Sequence, residues 1–439
     1  MFQTIKNAWN VPELRKKMLF TLLIILLYRL GASIPVPYVS ADVLSSFNQY
    51  AAGSIFQFMN ILSGDAFAKA TLFALSVSPY ITASIVIQLL TVAIPALERM
   101  SKDEDGKKKI TMLTRIVTVV LALVTAYGYA MVLNSYGMLS FTDDDSAKVF
   151  KYAVIIACFC AGAALIMWLA EKINEHGIGN GISIILFANI VASLPSIASS
   201  LFGMMFDGSK FKWTGLITVI VTLVVVLAVV VLVVWFTNSE RRIPIQYAKR
   251  VVGRKMYGGQ SSNLPLKLNM TGVMPIIFAN SIVAIPATIA AFFPNTKWLS
   301  WINEHFNYYT WPYLLVFLVL IIAFAYFYTL ISFNPVEVAN NIRDNGGAVP
   351  GIRPGKPTSQ YIQKILNRIT LIGAVFLCFV SGFPMVITII DYAIHDGVLT
   401  LGALAFGGSS LLIVVGVALE TMHELEAQLT MRNYKGFLD

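Results

Sequence analysis

Ten apolar runs constrain this chain more than any other feature. Each is close to the roughly 20 residues that a helix needs to cross a bilayer. They cover about 18–34, 74–94, 115–133, 150–170, 182–199, 216–236, 271–293, 312–333, 369–390 and 401–419. The runs are long and continuous, which excludes the short alternating segments of a membrane barrel. With 57% hydrophobic and only 13% charged residues, the chain lies outside the composition of soluble domains. The expected class is an all-α polytopic membrane protein with ten transmembrane helices. Cys158, Cys160 and Cys378 all fall inside apolar runs, so neither a disulfide framework nor a zinc site is expected. The first run has no small-residue cleavage site and further spans follow it, so it reads as the first span and not as a leader.

An even number of spans puts both ends on one side, and Lys and Arg decide which. If the first residues are cytoplasmic, about 25 of the 32 basic residues fall on inside segments, against about six outside, as the positive-inside rule requires. Asp143, Asp144 and Asp145 then fall outside. Both ends are therefore expected in the cytoplasm. Five spans in residues 1–200 and five in 201–439 would suit two inverted halves, because an odd number of spans flips the second copy.

The stretch 55–95, IFQFMNILSGDAFAKATLFALSVSPYITASIVIQLLTVAIP, is about twice the length of one span. Its second half is apolar enough to cross. In the first half, Asn60, Ser63, Gly64, Asp65 and Lys69 interrupt Phe56, Met59, Ile61 and Leu62. Irregular backbone survives at membrane depth only when it is buried in protein or lines a watery cavity. A broken segment ahead of a span therefore implies a cavity. On the residues alone, an outer loop with a surface helix fits equally well.

Two polar loops are longer than helix connections need to be. In residues 237–269, the basic residues Arg241, Arg242, Lys249, Arg250, Arg254, Lys255 and Lys267 alternate with strand formers such as Ile243, Ile245 and Val251. That pattern predicts a projecting hairpin suited to phosphate backbones or acidic protein surfaces, although topology alone also draws charge there. In residues 334–368, Gly346, Gly347 and PGIRPG at 350–355 predict a stiff turn presenting Arg353. An ordinary exposed turn is the bland alternative.

The spans themselves hold almost no charge. Arg29 lies in the outer part of the first, and Glu171, Asp391 and Glu420 lie at span ends. Ion-coupled carriers place ionisable groups near the midplane. Thr82, Ser84, Gln88, Asn189, Asn280 and Ser281 are polar but uncharged, and each also fits an ordinary interhelical hydrogen bond. No nucleotide loop, metal-ligand spacing or nucleophile elbow is present in the sequence. His176, His305, His395 and His423 all lie in polar end segments. Three readings compete: a passive channel for unfolded polypeptides, a secondary transporter of small solutes, and a membrane-embedded enzyme. Missing midplane charge and two partner-sized loops favour the channel. No paired Asp or Ser/His pair in the spans supports the enzyme.

Seven motifs run through the chain: RLGASIPVP from Arg29, SPYITASIVIQLLTV from Ser78, INEHGIGNGISI from Ile173, RRIPIQYAKR from Arg241, LPLKLNMTGVMPIIFANSI from Leu264, PGIRPGKPT from Pro350 and GGSSLLIVVG from Gly407. In these motifs, and in their order, the chain closely resembles the SecY family, the central subunits of bacterial protein-conducting channels. The resemblance implies two pseudo-symmetric halves around an hourglass pore, closed on its outer side by a plug helix at about 55–71 that includes Phe56, Met59, Asn60, Leu62 and Gly64. It implies a pore ring of Val77, Ile81, Ile85, Leu186, Ile277 and Ile413. Val77 and Leu186 depart from the family's isoleucines but stay bulky and aliphatic. It implies a lateral gate toward membrane lipid between spans two and seven, with Thr82, Gln88 and Asn280 as polar contacts. Arg254, Lys255 and Arg353 match positions that contact the SecA ATPase or the ribosome. SecE and SecG are the implied membrane subunits, and signal sequences and unfolded preproteins the implied substrates. No cofactor, metal, catalytic residue or direct DNA binding is expected. The implied location is the bacterial cytoplasmic membrane.

Overall fold

The structure, a computed structural model, describes residues 2–39, 59–60, 62–135, 137–140, 147–207, 210–211, 213–247, 250–252, 255–257, 261–292, 310–395 and 407–435. Each predicted span overlaps a helix in its described residues. In chain order the helices are α1 (Phe2–Asn10), α2 (Pro12–Gly31), α3 (Ser78–Ala93), α4 (Pro95–Lys102), α5 (Glu104–Ser135), α6 (Lys148–His176), α7 (Gly181–Met204), α8 (Trp213–Thr237), α9 (Met274–Phe292), α10 (Trp311–Ser332), α11 (Pro335–Asp344), α12 (Lys356–His395) and α13 (Gly407–Lys435). Among the described residues, six helical stretches are long and apolar enough to cross a membrane: 104–135, 148–176, 181–203, 215–237, 311–344 and 356–390. A seventh is the pair α3 and α4, bent by 105°. The bend follows Ile94, whose extended backbone precedes Pro95, as the residue before a proline favours. The apolar part of α9 is shorter, Met274–Pro286. In α2, Arg15, Lys16 and Lys17 occupy the first turns.

Local sequence sets several boundaries. Pro12 opens α2 at a position where its missing N–H costs nothing. Asn180 caps α7, its side chain accepting from the Ile182 N–H at 3.0 Å, and Asn334 caps α11 in the same way. Large apolar faces stay exposed, as hydrocarbon permits: only 11% of the apolar window of α8 is buried.

One hydrophobic core runs through both halves of the chain, from Ile24 and Tyr28 to Leu412 and Val417. Within the first half, α3 packs on α5 and α5 on α6; within the second, α9 packs on α10 and α10 on α12. The halves meet where α9 packs on α3 and α5, and where α7 packs on α8 and α13. A separate small cluster joins the two ends of the fold. Ala8, Leu14, Ile178 and Leu425 pack together, Thr4 donates to Glu426 at 3.2 Å, and Lys17 donates to Gln428 at 3.2 Å.

The two long polar loops form one unit, which their sequences do not reveal. In the first, β3 (Glu240–Tyr247) pairs antiparallel with β6 (Ser261–Lys267), Ile243 opposite Leu264, and a short ribbon of β4 (Arg250–Val252) and β5 (Lys255–Tyr257) lies between them. (β1, Phe206–Asp207, and β2, Lys210–Phe211, make another small ribbon just beyond α7.) The second loop adds β7 (Gly347–Ala348) to the free edge of β3, Tyr247 opposite Gly347. Ile243 and Ile245 turn inward onto Ala339 and Ile342 of α11 and Ile362 of α12, while Arg241 and Arg242 stay exposed. The 40 residues of α12 make a rod about 60 Å long. It begins at the tip of this unit and carries the predicted span 369–390 in its second half.

Candidate functional site

Four helices bring one aliphatic side chain each to a common point: Ile81 from α3, Leu186 from α7, Ile277 from α9 and Ile413 from α13. Together with Leu62, Ser78, Asn280 and Ser281 they line a cavity of about 20 Å³, room for about one water molecule. All four are buried, the most accessible being Ile277 at 5%. Val77 and Ile85 are buried in the same core but are not among the cavity-lining residues. Val77 is the residue before α3, and Ile85 lies one turn beyond Ile81. Five of the eight lining residues are aliphatic, with Ser78, Asn280 and Ser281 completing the wall; where the aliphatic side chains meet, water and ions find nothing to bond, and a constriction of this kind closes by dewetting.

The segment ahead of α3 folds back beneath this point. Met59, Asn60, Leu62 and Gly64 are in the described part; Phe56 lies outside the described residues. The helical residues 59–60 and 62–63 are followed by a run of turns up to Val77. Gly64, Asp65, Ala70 and Ser76 all have left-handed backbone, with φ of 62°, 68°, 43° and 51°. For non-glycine residues that costs roughly 1–2 kcal/mol each, and such strain persists only where the surroundings enforce it.

Those surroundings are polar and specific. Asn60 Oδ1 accepts from the Ala68 N–H at 2.8 Å, and its Nδ2 donates to Asp65 at 3.0 Å. Ser63 Oγ accepts from the Phe67 N–H at 2.9 Å. The Leu72 N–H donates to the Ile34 carbonyl at 2.9 Å, and the Val36 N–H to the Ala70 carbonyl at 3.1 Å. Three side chains from other helices reach carbonyls of the segment: Tyr129 that of Phe67, Arg29 that of Gly64 at 3.4 Å, and Asn189 that of Leu62 at 2.7 Å. The sequence named Arg29 and Asn189 only as polar residues of spans and did not name Tyr129. Their partners are backbone atoms, which leave no mark in a side-chain pattern.

The three candidate gate residues have different surroundings. Asn280 is 3% exposed, lines the cavity, and makes no side-chain hydrogen bond among the described residues. Thr82 donates to the Ser78 carbonyl of its own helix at 3.0 Å. Gln88 accepts from the Tyr328 hydroxyl at 2.7 Å, which ties α3 to α10, and donates to Ser84 at 3.3 Å. Interhelical hydrogen bonds in membranes are worth about 0.6 kcal/mol on average. Tyr328→Phe is therefore expected to leave the fold intact and lower its stability by about that amount, read as a small shift in the thermal transition of the purified chain.

Of the candidate loop contacts, Arg254 lies outside the described residues. Lys255 opens β5, opposite Val252. Arg353 is exposed, between Gly351 and Gly355 with φ of 79° and 96°. Its carbonyl accepts from the Thr358 hydroxyl at 2.8 Å, so the tip is held from within.

Comparison with known proteins agrees with this geometry. Residues 71–422 match the SecY family model. The chain is 42% identical over its whole length to the full protein translocase subunit SecY of Streptomyces coelicolor, and 41% identical, again with both chains fully covered, to that of Bacillus subtilis. Against the protein of that name from Thermus thermophilus it is 40% identical, covering 98% of that sequence. Its fold matches a solved protein-conducting channel with a TM-score of 0.61 at 17% identity, over 93% of this chain and 92% of the other. Sec61 from a canine ribosome-channel complex matches with a TM-score of 0.57 at 16% identity, over 94% and 92%. Full-length relatives at this identity, together with an aliphatic constriction above a folded-back segment, lead to one conclusion: this chain belongs to the SecY family.

Proposed function

We propose that this chain is the pore-forming subunit of the protein translocase in a bacterial cytoplasmic membrane. It passes unfolded polypeptides across that membrane and releases apolar segments sideways into lipid. The observation that carries this reading is the meeting of four aliphatic side chains, from four helices of both halves, at one cavity that Leu62 also lines. Side chains of this kind make no specific polar contact with a passing chain. The ring can therefore close on itself at rest and fit any sequence when occupied.

In this reading Val77, Ile81, Ile85, Leu186, Ile277 and Ile413 form the seal. Residues 55–71, with Phe56, Met59, Asn60, Leu62 and Gly64, form the plug. The seam between α3 and α9, which pack directly, is the lateral exit, with Thr82, Gln88 and Asn280 as its polar contacts. A signal sequence would partition there by its apolar transfer energy, several kcal/mol for a whole span. The chain is a channel subunit and not an enzyme, so the work comes from a partner. The exposed basic unit built from the two loops suits the SecA ATPase and the ribosome, through Arg254, Lys255 and Arg353. Two relatives of the same fold have been seen in ribosome complexes, the canine Sec61 and the yeast Ssh1 complex. SecE and SecG complete the membrane complex, with both ends of this chain in the cytoplasm.

The test is reconstitution with the small subunits in liposomes, followed by addition of the motor, ATP and an unfolded precursor. ATP-dependent protection of the precursor from protease is the expected result. Its absence, with precursor and motor active in a reference preparation, counts against the reading. In the same assay Arg353→Glu is expected to lower motor-driven protection about tenfold, since reversing a charge at a docking surface opposes the partner's field. Undiminished protection makes Arg353 an ordinary surface turn.

A further inference from the structure

We propose that Asn189, together with Ser76, is a latch that keeps the folded-back segment seated by gripping a single backbone carbonyl, that of Leu62. The proposal rests on the channel reading and adds to it a positioning residue for closure.

Asn189 lies on α7 three residues beyond Leu186, hence on the same face of that helix. It is fully buried, and Ser76 is 2% exposed. Asn189 Nδ2 donates to the Leu62 carbonyl at 2.7 Å and to Ser76 Oγ at 3.3 Å. The Ser76 hydroxyl donates to the same carbonyl at 3.1 Å. Three groups thus close a triangle whose one acceptor from the segment is a main-chain oxygen. Leu62 is also the segment residue that lines the cavity, so the latch holds the segment at the point where it meets the ring.

Two further observations fit a built contact. Gly64 lets the segment lie against α7: a Cβ there would stand 3.1 Å from the Asn189 backbone and 2.8 Å from Arg29 Nη1. Ser76 occupies left-handed backbone at φ 51°, an unfavourable conformation that aims its hydroxyl at Leu62. Hydrogen bonds of this sort hold a segment only modestly. The latch is therefore strong enough to favour closure and weak enough for an entering polypeptide to release. Because it grips the main chain of Leu62, the contact does not depend on the Leu62 side chain.

The test uses the reconstituted complex with the full chain. Asn189→Leu removes the donor with little change in volume, and Ser76→Ala removes one donor without adding bulk should the first variant fail to assemble. Amide exchange is measured across 62–71 and, as a control, across α12; resting ion conductance is measured in the same preparations. The expected result is about tenfold faster exchange in 62–71 for Asn189→Leu. A smaller increase is expected for Ser76→Ala, with α12 unchanged and resting conductance raised several-fold. Unchanged exchange in 62–71 overturns the latch whatever the pore does. Faster exchange with unchanged conductance, in a complex that still imports precursor, overturns its role in closure. A wild-type complex that imports no precursor counts against the channel reading, and exchange alone then decides whether Asn189 grips the segment.

Discussion

Asparagine placed at Ile81 and Ile277 together is expected to raise the resting ion conductance of the reconstituted complex by at least about tenfold. Both side chains line the 20 Å³ cavity and come from helices of opposite halves. At present five of its eight lining residues are aliphatic, and closure rests on the ring of Ile81, Leu186, Ile277 and Ile413, which gives water nothing to bond. Two amides facing each other across so small a gap supply several donors and acceptors, so the constriction wets and conducts. The internal comparison is Val77 with Ile85, which belong to the proposed ring and are equally buried but do not line this cavity. The same pair of substitutions there should perturb conductance much less. Equal leaks from both pairs would mean that the seal is a longer aliphatic column, and no leak from Ile81 and Ile277 would place the seal elsewhere, with the folded-back segment as the obvious remaining barrier.

Gly162→Ala is expected to prevent the complex from accumulating. The Cβ of alanine at this position of α6 would stand 1.9 Å from the Leu72 carbonyl oxygen and 2.9 Å from its carbon. That is backbone against backbone, so no side-chain rotation relieves it. The turn at Leu72 cannot retreat cheaply, because the Leu72 N–H donates to the Ile34 carbonyl. Overpacking in a close-packed interior costs about 1–3 kcal/mol and occasionally more, and an overlap this deep belongs at or above the top of that range. The measurement is the amount of intact, monodisperse chain recovered from membranes. Gly203→Ala is the control. It sits in a helix with nothing within 4 Å of its would-be Cβ, and alanine there should be neutral or stabilising by up to about 1 kcal/mol. Normal recovery of Gly162→Ala would mean that α6 and the Leu72 turn do not touch as described.

The sequence carried the spans because their signal is collective: twenty apolar residues in a row leave few alternatives. It also carried the hairpin, whose inward Ile243 and Ile245 alternate with exposed neighbours. What it could not carry was pairing at a distance. Nothing local to Gly347 shows that its partner is Tyr247, so two loops were read separately where the structure has one sheet and one small core. Nothing in the composition of α12 before residue 369 is apolar enough to extend the span, yet its first turns are helical because they pack on α11. At the candidate site the residues that line the cavity were legible through motif resemblance, whereas Asn189, Ser76 and Tyr129 hold carbonyls, and a carbonyl looks the same in every residue.

The small cluster that joins Thr4 to Glu426 and Lys17 to Gln428 has a bearing on biosynthesis. The first of these pairs is separated by 422 residues. At about 5–20 residues per second, Thr4 waits roughly 20–80 s for its partner to be made. Until then Ala8 and Leu14 lack their partner Leu425, and the nascent first half has an unmet docking face. Seating that face therefore waits on the synthesis of Leu425. A chain truncated before residue 425 cannot complete it, because Leu425 is one of the four buried residues of that cluster.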